Sequence, residues 1–518
     1  MILSIITYIE VIIIMTIQIN AATFRGIKGI PINVEIDIST GLPAFNIVGL
    51  ADTSVKESKE RVRSAIINSG YKFPIKRITI NLAPADLKKE GSLFDLPIAI
   101  GILAATDQIL KDCINDYIII GELSLNGDLK RIKGALPIVT YGVNNDFCKI
   151  IVPTGNAMEC SMVKESKVFA FDNLSQVVDY FQYMDSLPFE CNENLVEDNF
   201  DLDFNEIVGQ ESSKRAIEVS ASGGHNLMLF GSPGCGKTMM AKRIPTILPP
   251  LNYDEALEVT QIYSVSGNLH NGNLIFKRPF RNPHHTSSSI SLVGGGSKLI
   301  PGEISLAHNG VLFLDELPEF KKNVLEALRQ PLEDRVIRFS KATGNVTYPA
   351  SFMFVSALNP CPCGNYGSNK DCTCTEYERK RYISKLSGAL LDRIDIFSSV
   401  NSLNYEDIKK KDKSETSKEI RTRVTLARKI QEERFKNDNI HCNAQMQQKH
   451  IEKYCELSPE SLKIIKNLFN SFHVSARAYS RILKVARTIA DMKSYEKIAS
   501  SDIIEAVQYR KFIDGKIV

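Results

Sequence analysis

The sequence predicts an α/β protein of three domains, and three observations support this fold class. An apolar run at 226–230 (NLMLF) reads as a strand, the segment GSPGCGKT follows it, and residues 239–248 can form a helix. The chain before this segment alternates strand-like and helix-like stretches, and the chain after about residue 415 has helical patterning. A length of 518 residues also exceeds what one core normally holds, so several domains are expected.

The segment at 231–238 matches G-x-x-x-x-G-K-[ST] at every constrained position. Between a strand and a helix, such a loop binds phosphate because its backbone N–H groups and the helix N-terminus attract anions. We expect Lys237 to reach the β- and γ-phosphates of ATP and Thr238 to bind Mg²⁺. The predicted nucleotide-binding residues are Gly231, Ser232, Pro233, Gly234, Cys235, Gly236, Lys237, Thr238 and Asp315.

A second motif supplies the acids that ATP hydrolysis needs. The run VLFLDE at 311–316 is an apolar strand that ends in two carboxylates. Asp315 is predicted to hold Mg²⁺ together with Thr238, and Glu316 is predicted to polarise the attacking water. The two motifs together predict a Mg²⁺-dependent ATPase.

These motifs resemble the AAA+ class of ATPases, with an AAA+ domain at 206–401 and a C-terminal helical lid domain at 402–518. The resemblance implies that Asn359, after a buried strand at 352–357, orients the attacking water. It implies that Arg393 is an arginine finger acting on a neighbouring subunit, although a surface salt bridge is the alternative. It also implies that Arg477, on a helix opening at 475, belongs to a helix that closes over the nucleotide.

Residues 15–181 are predicted to form an α+β domain, with strands at 32–38, 45–50, 78–82 and 117–125 and helices at 54–68 and 96–105. The segments LAPADLKKEG and GELSLNG resemble the proteolytic domain of Lon-type proteases. The serine and lysine that such a protease requires fall near Leu93 and near Leu136, and Ser92 is one place off the serine position. The resemblance therefore implies a non-proteolytic relative.

The ends of this domain are predicted from composition. Residues 1–14 are apolar but shorter than the ~20 residues of a membrane span. We expect them to be a non-native extension before Met15, with a peripheral anchor as the alternative, and we expect no membrane partner. Residues 182–205 read as an acidic linker.

The net charge of +3 requires any nucleic-acid contact to come from local patches.

Cysteines and histidines suggest further sites. Most of the eleven cysteines are scattered, which predicts a reducing cytoplasm. Four are clustered at 361–374 and suit a tetrahedral Zn²⁺ site. Structural zinc is favoured over free thiols, which stay open as the alternative because C-x-C spacing is less common than C-x₂-C. The clustered cysteines are Cys361, Cys363, Cys372 and Cys374.

A structural or loop-packing role is expected for His284 and His285.

Two inserted segments indicate which branch of the AAA+ ATPases the chain resembles. A hairpin at 335–348 around KATGN, and the segment 266–296 containing RPFRNPHHT, resemble inserts of the magnesium chelatase and MCM helicase branch. The resemblance implies that Lys341 lies in the channel of a ring and touches DNA phosphates.

Essentially the whole chain after Met15 resembles the YifB / ComM family of magnesium-chelatase-like ATPases. This implies a cytoplasmic hexameric ATP- and Mg²⁺-dependent helicase that binds single- and double-stranded DNA. It would promote branch migration in recombination and natural transformation. A chelatase-type ATPase that remodels a protein or metal-insertion partner is the alternative. A Lon-like protease is disfavoured because the serine and lysine are missing.

Overall fold

The computed structural model describes most of the chain, which divides into two compact units. The first contains the described residues before 196 together with Thr260–Leu274 and Lys341–Gly344, and the second contains the remainder. The segment predicted as one domain at 206–401 therefore contributes to both units. The predicted extension at 1–14 and part of the acidic linker lie outside the described residues. Those residues are 16–89, 91–111, 113–190, 200–269, 272–296, 299–341, 344–367, 370–402, 414–438, 440–472 and 475–510.

The first unit is an α+β fold with one four-stranded sheet in the order β1-β2-β4-β3 and one parallel three-stranded sheet in the order β5-β8-β9. Its elements are β1 (Ile17–Arg25), β2 (Lys28–Ser39), β3 (Ala44–Val48), α1 (Thr53–Asn68), β4 (Arg77–Ala83), α2 (Asp95–Ala105), β5 (Tyr117–Ile119), β6 (Glu122–Leu123), β7 (Leu129–Lys130), α3 (Ala135–Val143), β8 (Lys149–Pro153), α4 (Thr154–Ser161), β9 (Lys167–Phe171) and α5 (Leu174–Tyr183).

Helix α1 confirms the predicted amphipathic pattern. The side chain of Asp52 caps it by accepting a hydrogen bond from the Val55 N–H at 2.8 Å. Val55, Val62, Ala65 and Ile66 are all buried on one face, as their helical spacing predicts. This face packs the helix against the rest of the first unit.

The single strand predicted at 117–125 was wrong, because the structure divides it into β5 and β6. Between them the Gly121 N–H donates to the Leu93 carbonyl at 3.0 Å, and the Leu96 N–H donates to the Gly121 carbonyl at 3.0 Å. The chain thus passes against the start of α2 and enters a different sheet. Leu93 and Leu136 are buried apolar side chains, so neither position offers a nucleophile or a base.

The chain from residue 204 onward forms a parallel sheet, two small hairpins and a helical C-terminal region. Its elements are α6 (Glu211–Gly223), β10 (Leu227–Phe230), α7 (Lys237–Ile247), α8 (Tyr253–Ser266), β11 (Phe280–Arg281), α9 (Ser289–Val293), β12 (Gly294–Gly295), β13 (Ile300–Pro301), α10 (Glu303–Leu306), β14 (Val311–Leu314), α11 (Lys322–Ala327), α12 (Arg329–Asp334), β15 (Val336–Lys341), β16 (Gly344–Pro349), β17 (Met353–Leu358), α13 (Glu376–Ile383), α14 (Gly388–Leu391), β18 (Ile396–Ser399), α15 (Ser417–Arg434), α16 (Gln448–Tyr454), α17 (Pro459–Phe472), α18 (Ala476–Met492) and α19 (Ser500–Gln508).

The sheet of the second unit has the order β11-β14-β17-β10-β18, and all its pairs are parallel. The carboxyl ends of parallel strands meet at one edge, which is where ligands bind in such sheets. The predicted phosphate loop, the Asp315–Glu316 pair and Asn359 directly follow β10, β14 and β17. The fold therefore gathers these motifs at one edge.

The C-terminal helices share a core with the sheet. Ile420 of α15 and Ile482 of α18 are buried in the same cluster as Leu227 of β10. This continuity means that the helical region packs on the sheet. Within the described part of the chain, no helix is long and apolar enough to cross a membrane.

Candidate ATP-binding and hydrolysis site

The phosphate-binding loop lies between β10 and α7, as predicted. Gly236, which precedes α7, has φ 97°, a left-handed conformation that glycine adopts without steric cost. Gly231 is confined, since a Cβ there would lie 2.1 Å from the carbonyl oxygen of Val400. The loop leads into the N-terminus of an eleven-residue helix, where an anion is stabilised.

Lys237 and Asn359 meet at this loop. The Lys237 ammonium donates hydrogen bonds to the carbonyl oxygens of Gly231 at 2.7 Å and Ser232 at 2.9 Å, and to Asn359 Oδ1 at 3.1 Å. Asn359 follows β17, which pairs directly with β10. The charge of Lys237 and the polar amide are therefore positioned together at the start of α7, where phosphate oxygens can replace the loop carbonyls as acceptors.

Thr238 and Asp315, which are predicted to bind Mg²⁺, contact each other. The Thr238 hydroxyl donates a hydrogen bond of 2.6 Å to Asp315 Oδ2. Mg²⁺ prefers hard oxygen ligands, and these two oxygens from adjacent elements lie side by side. The donor set fits Mg²⁺, with Thr238 and Asp315 as the side chains that would hold it.

Glu316 lies where the chain leaves β14. Its φ of 51° and ψ of 48° place it in the left-handed region, which costs a non-glycine residue about 1 kcal/mol or more. Its N–H donates to Asp315 Oδ1 at 2.9 Å, and its side chain is 52% exposed. A strained backbone thus presents the carboxylate toward solvent, beside the Mg²⁺ pair.

His285 contacts this carboxylate, which the loop-packing interpretation missed. His285 Nδ1 lies 3.6 Å from Glu316 Oε2, and its ring lies 4.1 Å from that of His284. The linear sequence does not signal this contact, because it depends on the pairing of β11 with β14, in which Phe280 lies opposite Val311. His285 and Glu316 lie a few positions beyond the ends of these paired strands.

Arg393 lies away from this site. Its Nη1 donates to the Ala389 carbonyl at 2.5 Å, and its Nη2 forms an ion pair with Glu333. Its own carbonyl accepts a hydrogen bond of 2.8 Å from the Asn226 side chain. Asn226 precedes β10, whereas the phosphate loop follows β10. Arg393 is therefore at the amino edge of the sheet, opposite the edge that carries Lys237.

Arg477 lies near Arg393, and not beside Lys237. Its Nη1 is 3.7 Å from Asp392 Oδ2, and 71% of its side chain is exposed. Ser475 caps its helix, α18, as predicted, by accepting a hydrogen bond from the Ala478 N–H at 3.2 Å. Arg477 and Arg393 both line a cavity of about 1150 Å³, whose other lining residues include Asn226, Asn309 and Asp395. Asn226 and Asp395 directly precede β10 and β18, and Asn309 lies two residues before β14, so the cavity belongs to the amino edge.

Asp395 fastens the C-terminal helices to this edge. It is buried, forms an ion pair with Arg481 of α18, and accepts a hydrogen bond of 3.0 Å from the Asn226 N–H. Burial raises the pKa of this carboxyl, but the charge of Arg481 and the nearby His225 ring, whose Nδ1 lies 3.6 Å from Oδ2, outweigh it and hold the pKa well below its usual value. The orientation of α18 is therefore tied to a buried charge.

The four clustered cysteines converge. The Sγ atom of Cys361 lies 3.3 Å from that of Cys363 and 3.7 Å from that of Cys372. The Cys363 N–H donates to Cys374 Sγ at 3.4 Å. All four sulfur atoms lie within 4.8 Å of one another.

The predicted hairpin is confirmed as a two-stranded sheet of β15 and β16. Lys341 is the last residue of β15, and β16 begins at Gly344. Its side chain lies outside what the structure describes, and its role as a DNA contact stays a prediction.

Known proteins resemble the chain over nearly its whole length. It is 43% identical over 491 residues to the uncharacterized protein YifB of Salmonella typhimurium, covering 94% of this chain and 95% of that protein. YifB of Escherichia coli has the same identity and coverage. The competence protein ComM of Haemophilus influenzae is 41% identical over 496 residues, covering 94% of this chain and 96% of ComM. The chain belongs to the YifB / ComM family of magnesium-chelatase-like proteins.

Three family matches agree with this assignment. Residues 203–408 match the family described as magnesium chelatase, subunit ChlI, and residues 414–510 match the C-terminal part of that subunit. Residues 34–156 match a further family described as subunit ChlI of Mg-chelatase. The first match covers the parallel sheet with all its motifs. A YifB / ComM protein is thus of the AAA+ type, for which ATP and Mg²⁺ are the implied cofactors.

Proposed function

We propose that this protein is an ATP-driven DNA motor that acts in the cytoplasm as a homo-oligomeric ring, with six subunits. It would promote branch migration during recombination and natural transformation. The DNA assignment rests on one observation, the 41% identity to a competence protein over 94% of the chain.

The chemistry of one site follows from the residues at the carboxyl edge. Lys237 binds the phosphates, and Thr238 and Asp315 would hold Mg²⁺, whose positive charge would offset part of the phosphate charge. Glu316 accepts a proton from the attacking water, which Asn359 orients. His285 holds the Glu316 carboxylate in place through the 3.6 Å contact.

The ring assignment is supported by the positions of Arg393 and Arg477. Both line the cavity at the amino edge, one strand length from the loop that carries Lys237. A guanidinium stabilises the charge that develops on a transferring phosphoryl group only when it is in contact with that group. These arginines therefore serve the ATP site of a neighbouring subunit, and head-to-tail contacts of this kind form a ring when the rotation between subunits closes.

The hairpin of β15 and β16 is the proposed DNA contact. It lies in sequence between Glu316 and Asn359, so both of its ends lead to residues of the hydrolysis site. Lys341, the last residue of β15, carries a charge suited to a backbone phosphate. Movement of the hairpin during hydrolysis would then transmit force to DNA.

The test is steady-state ATP hydrolysis by protein starting at Met15, with and without forked DNA, beside Lys341→Ala. DNA should stimulate turnover, and the variant should lose the stimulation while keeping its basal rate. Lys59→Ala, which removes a surface lysine of the first unit, is the matched control and should be stimulated like the wild type. Binding should weaken steeply with salt, because phosphate contacts release counterions.

A chelatase-type remodeller is the second candidate, favoured by the family matches to subunit ChlI. It shares the ATP site and differs in substrate. If DNA neither binds nor changes turnover, whereas a folded protein partner raises it, this candidate replaces the DNA motor.

A further inference from the structure

The clustered cysteines have the geometry of a closed metal site. With Zn–S bonds of 2.3 Å, a regular tetrahedron has sulfur–sulfur distances of about 3.8 Å. The Sγ–Sγ distances in the structure are 3.3 Å for Cys361–Cys363, 3.7 Å for Cys361–Cys372 and 3.6 Å for Cys363–Cys372. A disulfide would require about 2.05 Å. The spacing therefore suits four sulfurs around one ion.

The surroundings also suit thiolates. The Tyr366 N–H donates to Cys361 Sγ at 3.4 Å, and the Cys363 N–H donates to Cys374 Sγ at 3.4 Å. Such donors offset the negative charge that four thiolates bring to a divalent ion and orient the ligands. Binding releases the four thiol protons, and four protein ligands leave no open position, which is typical of structural Zn²⁺.

The cysteine loop touches the phosphate loop. Gly364, between the two cysteine pairs, has φ +79°, and a Cβ added there would lie 2.4 Å from Pro233 Cγ and 2.5 Å from Pro233 Cδ. The backbone of Gly364 thus packs directly on the Pro233 ring. On the other side, Cys361 follows Asn359 by two residues. The cluster is therefore connected to the ATP site at two points.

We propose that Cys361, Cys363, Cys372 and Cys374 bind one structural Zn²⁺ ion, and that this ion holds Gly364 against Pro233 and so keeps the phosphate loop in its nucleotide-binding form. Without the ion, the four sulfurs lose their common ligand and the loop at 361–374 loosens. Pro233 then loses its packing partner, and Asn359 loses a rigid neighbour. Nucleotide affinity falls, although no cysteine touches the nucleotide.

The first test is metal content. Full-length protein purified from cells supplied with zinc should contain one zinc per chain by mass spectrometry of the metal. Cys372→Ser with Cys374→Ser should contain none, whereas Cys113→Ser, an exposed cysteine outside the cluster, should keep one. Wild-type protein without zinc, or with disulfides among these four cysteines, would overturn the proposal.

The second test separates the packing of Gly364 on Pro233 from zinc binding itself, and it does not depend on DNA. Gly364→Ala should keep its zinc but weaken binding of a fluorescent ATP analogue by about tenfold or more, because the new Cβ displaces Pro233. Gly367→Ala is the matched control, since Gly367 has a similar φ of +74° and no atom within 4 Å of the added Cβ. Equal nucleotide affinity in the two variants would refute the claim that the packing of Gly364 on Pro233 supports nucleotide binding, even if zinc is present.

Discussion

The position of Arg393 predicts that two inactive variants restore each other. Lys237→Ala removes the phosphate ligand, and Arg393→Ala removes the guanidinium, which in phosphoryl-transfer enzymes lowers turnover by about 10³-fold or more. The four residues of β10 separate the two positions by about 13 Å of strand. If each ATP site joins Lys237 of one subunit to Arg393 of the next, mixed rings contain some complete sites.

The recovery can be calculated from random mixing. In an equal mixture of the two variants, half of the subunits have Lys237 and half of the relevant neighbours have Arg393, so about one quarter of the sites are complete. Steady-state ATP hydrolysis at fixed subunit concentration should reach about one quarter of the wild-type rate after subunit exchange. The control is wild type mixed with the double variant, which should also give about one quarter.

If Lys237 and Arg393 of the same subunit formed each ATP site, the mixtures would have different hydrolysis rates. The two single variants would then stay inactive together, and wild type mixed with the double variant would give about one half. That result would refute the shared site. Glu333→Gln removes the ion-pair partner of Arg393 and should leave turnover near that of the wild type. If Glu333→Gln lowered turnover as much as Arg393→Ala does, the arginine would act through its ion pair with Glu333 and not through contact with the nucleotide.

Four further outcomes are expected. Glu316→Gln should bind a fluorescent ATP analogue normally but lower turnover by about 10²-fold or more, because it cannot accept the proton of water. His285→Asn should lower turnover without changing nucleotide affinity, and an equal loss in His284→Asn would indicate packing instead. Arg481→Met should lower the free energy of unfolding by about 3–5 kcal/mol, measured by denaturant titration, because it leaves the Asp395 carboxylate buried and unpaired. Since the fold lowers the pKa of Asp395, its contribution to stability should be present above about pH 4 and lost as the pH falls below that value.

The sequence predicted the carboxyl edge of the sheet well because its motifs are local. A strand followed directly by a glycine loop or by two acids fixes both the element and the position of the side chain within a few residues. Lys237, Thr238, Asp315 and Asn359 accordingly meet as expected.

Features that depend on strand order or on breaks in a strand were harder to predict. His285 reaches Glu316 only because β11 is the neighbour of β14, and the linear pattern of two adjacent histidines does not show this pairing. The Arg477 motif likewise marks a helix but not the edge of the sheet that the helix faces. Gly121 divides a run that reads as one strand, since its backbone hydrogen bonds go to the start of α2.

The most direct test of ATP-driven movement on DNA is the resolution of a fluorescently labelled four-way junction with mobile arms. The wild-type protein should separate the arms with ATP, and it should fail with a non-hydrolysable analogue. Glu316→Gln should bind the junction and leave it intact. Rapid ATP turnover that leaves the junction unresolved and is unchanged by DNA would contradict the DNA motor.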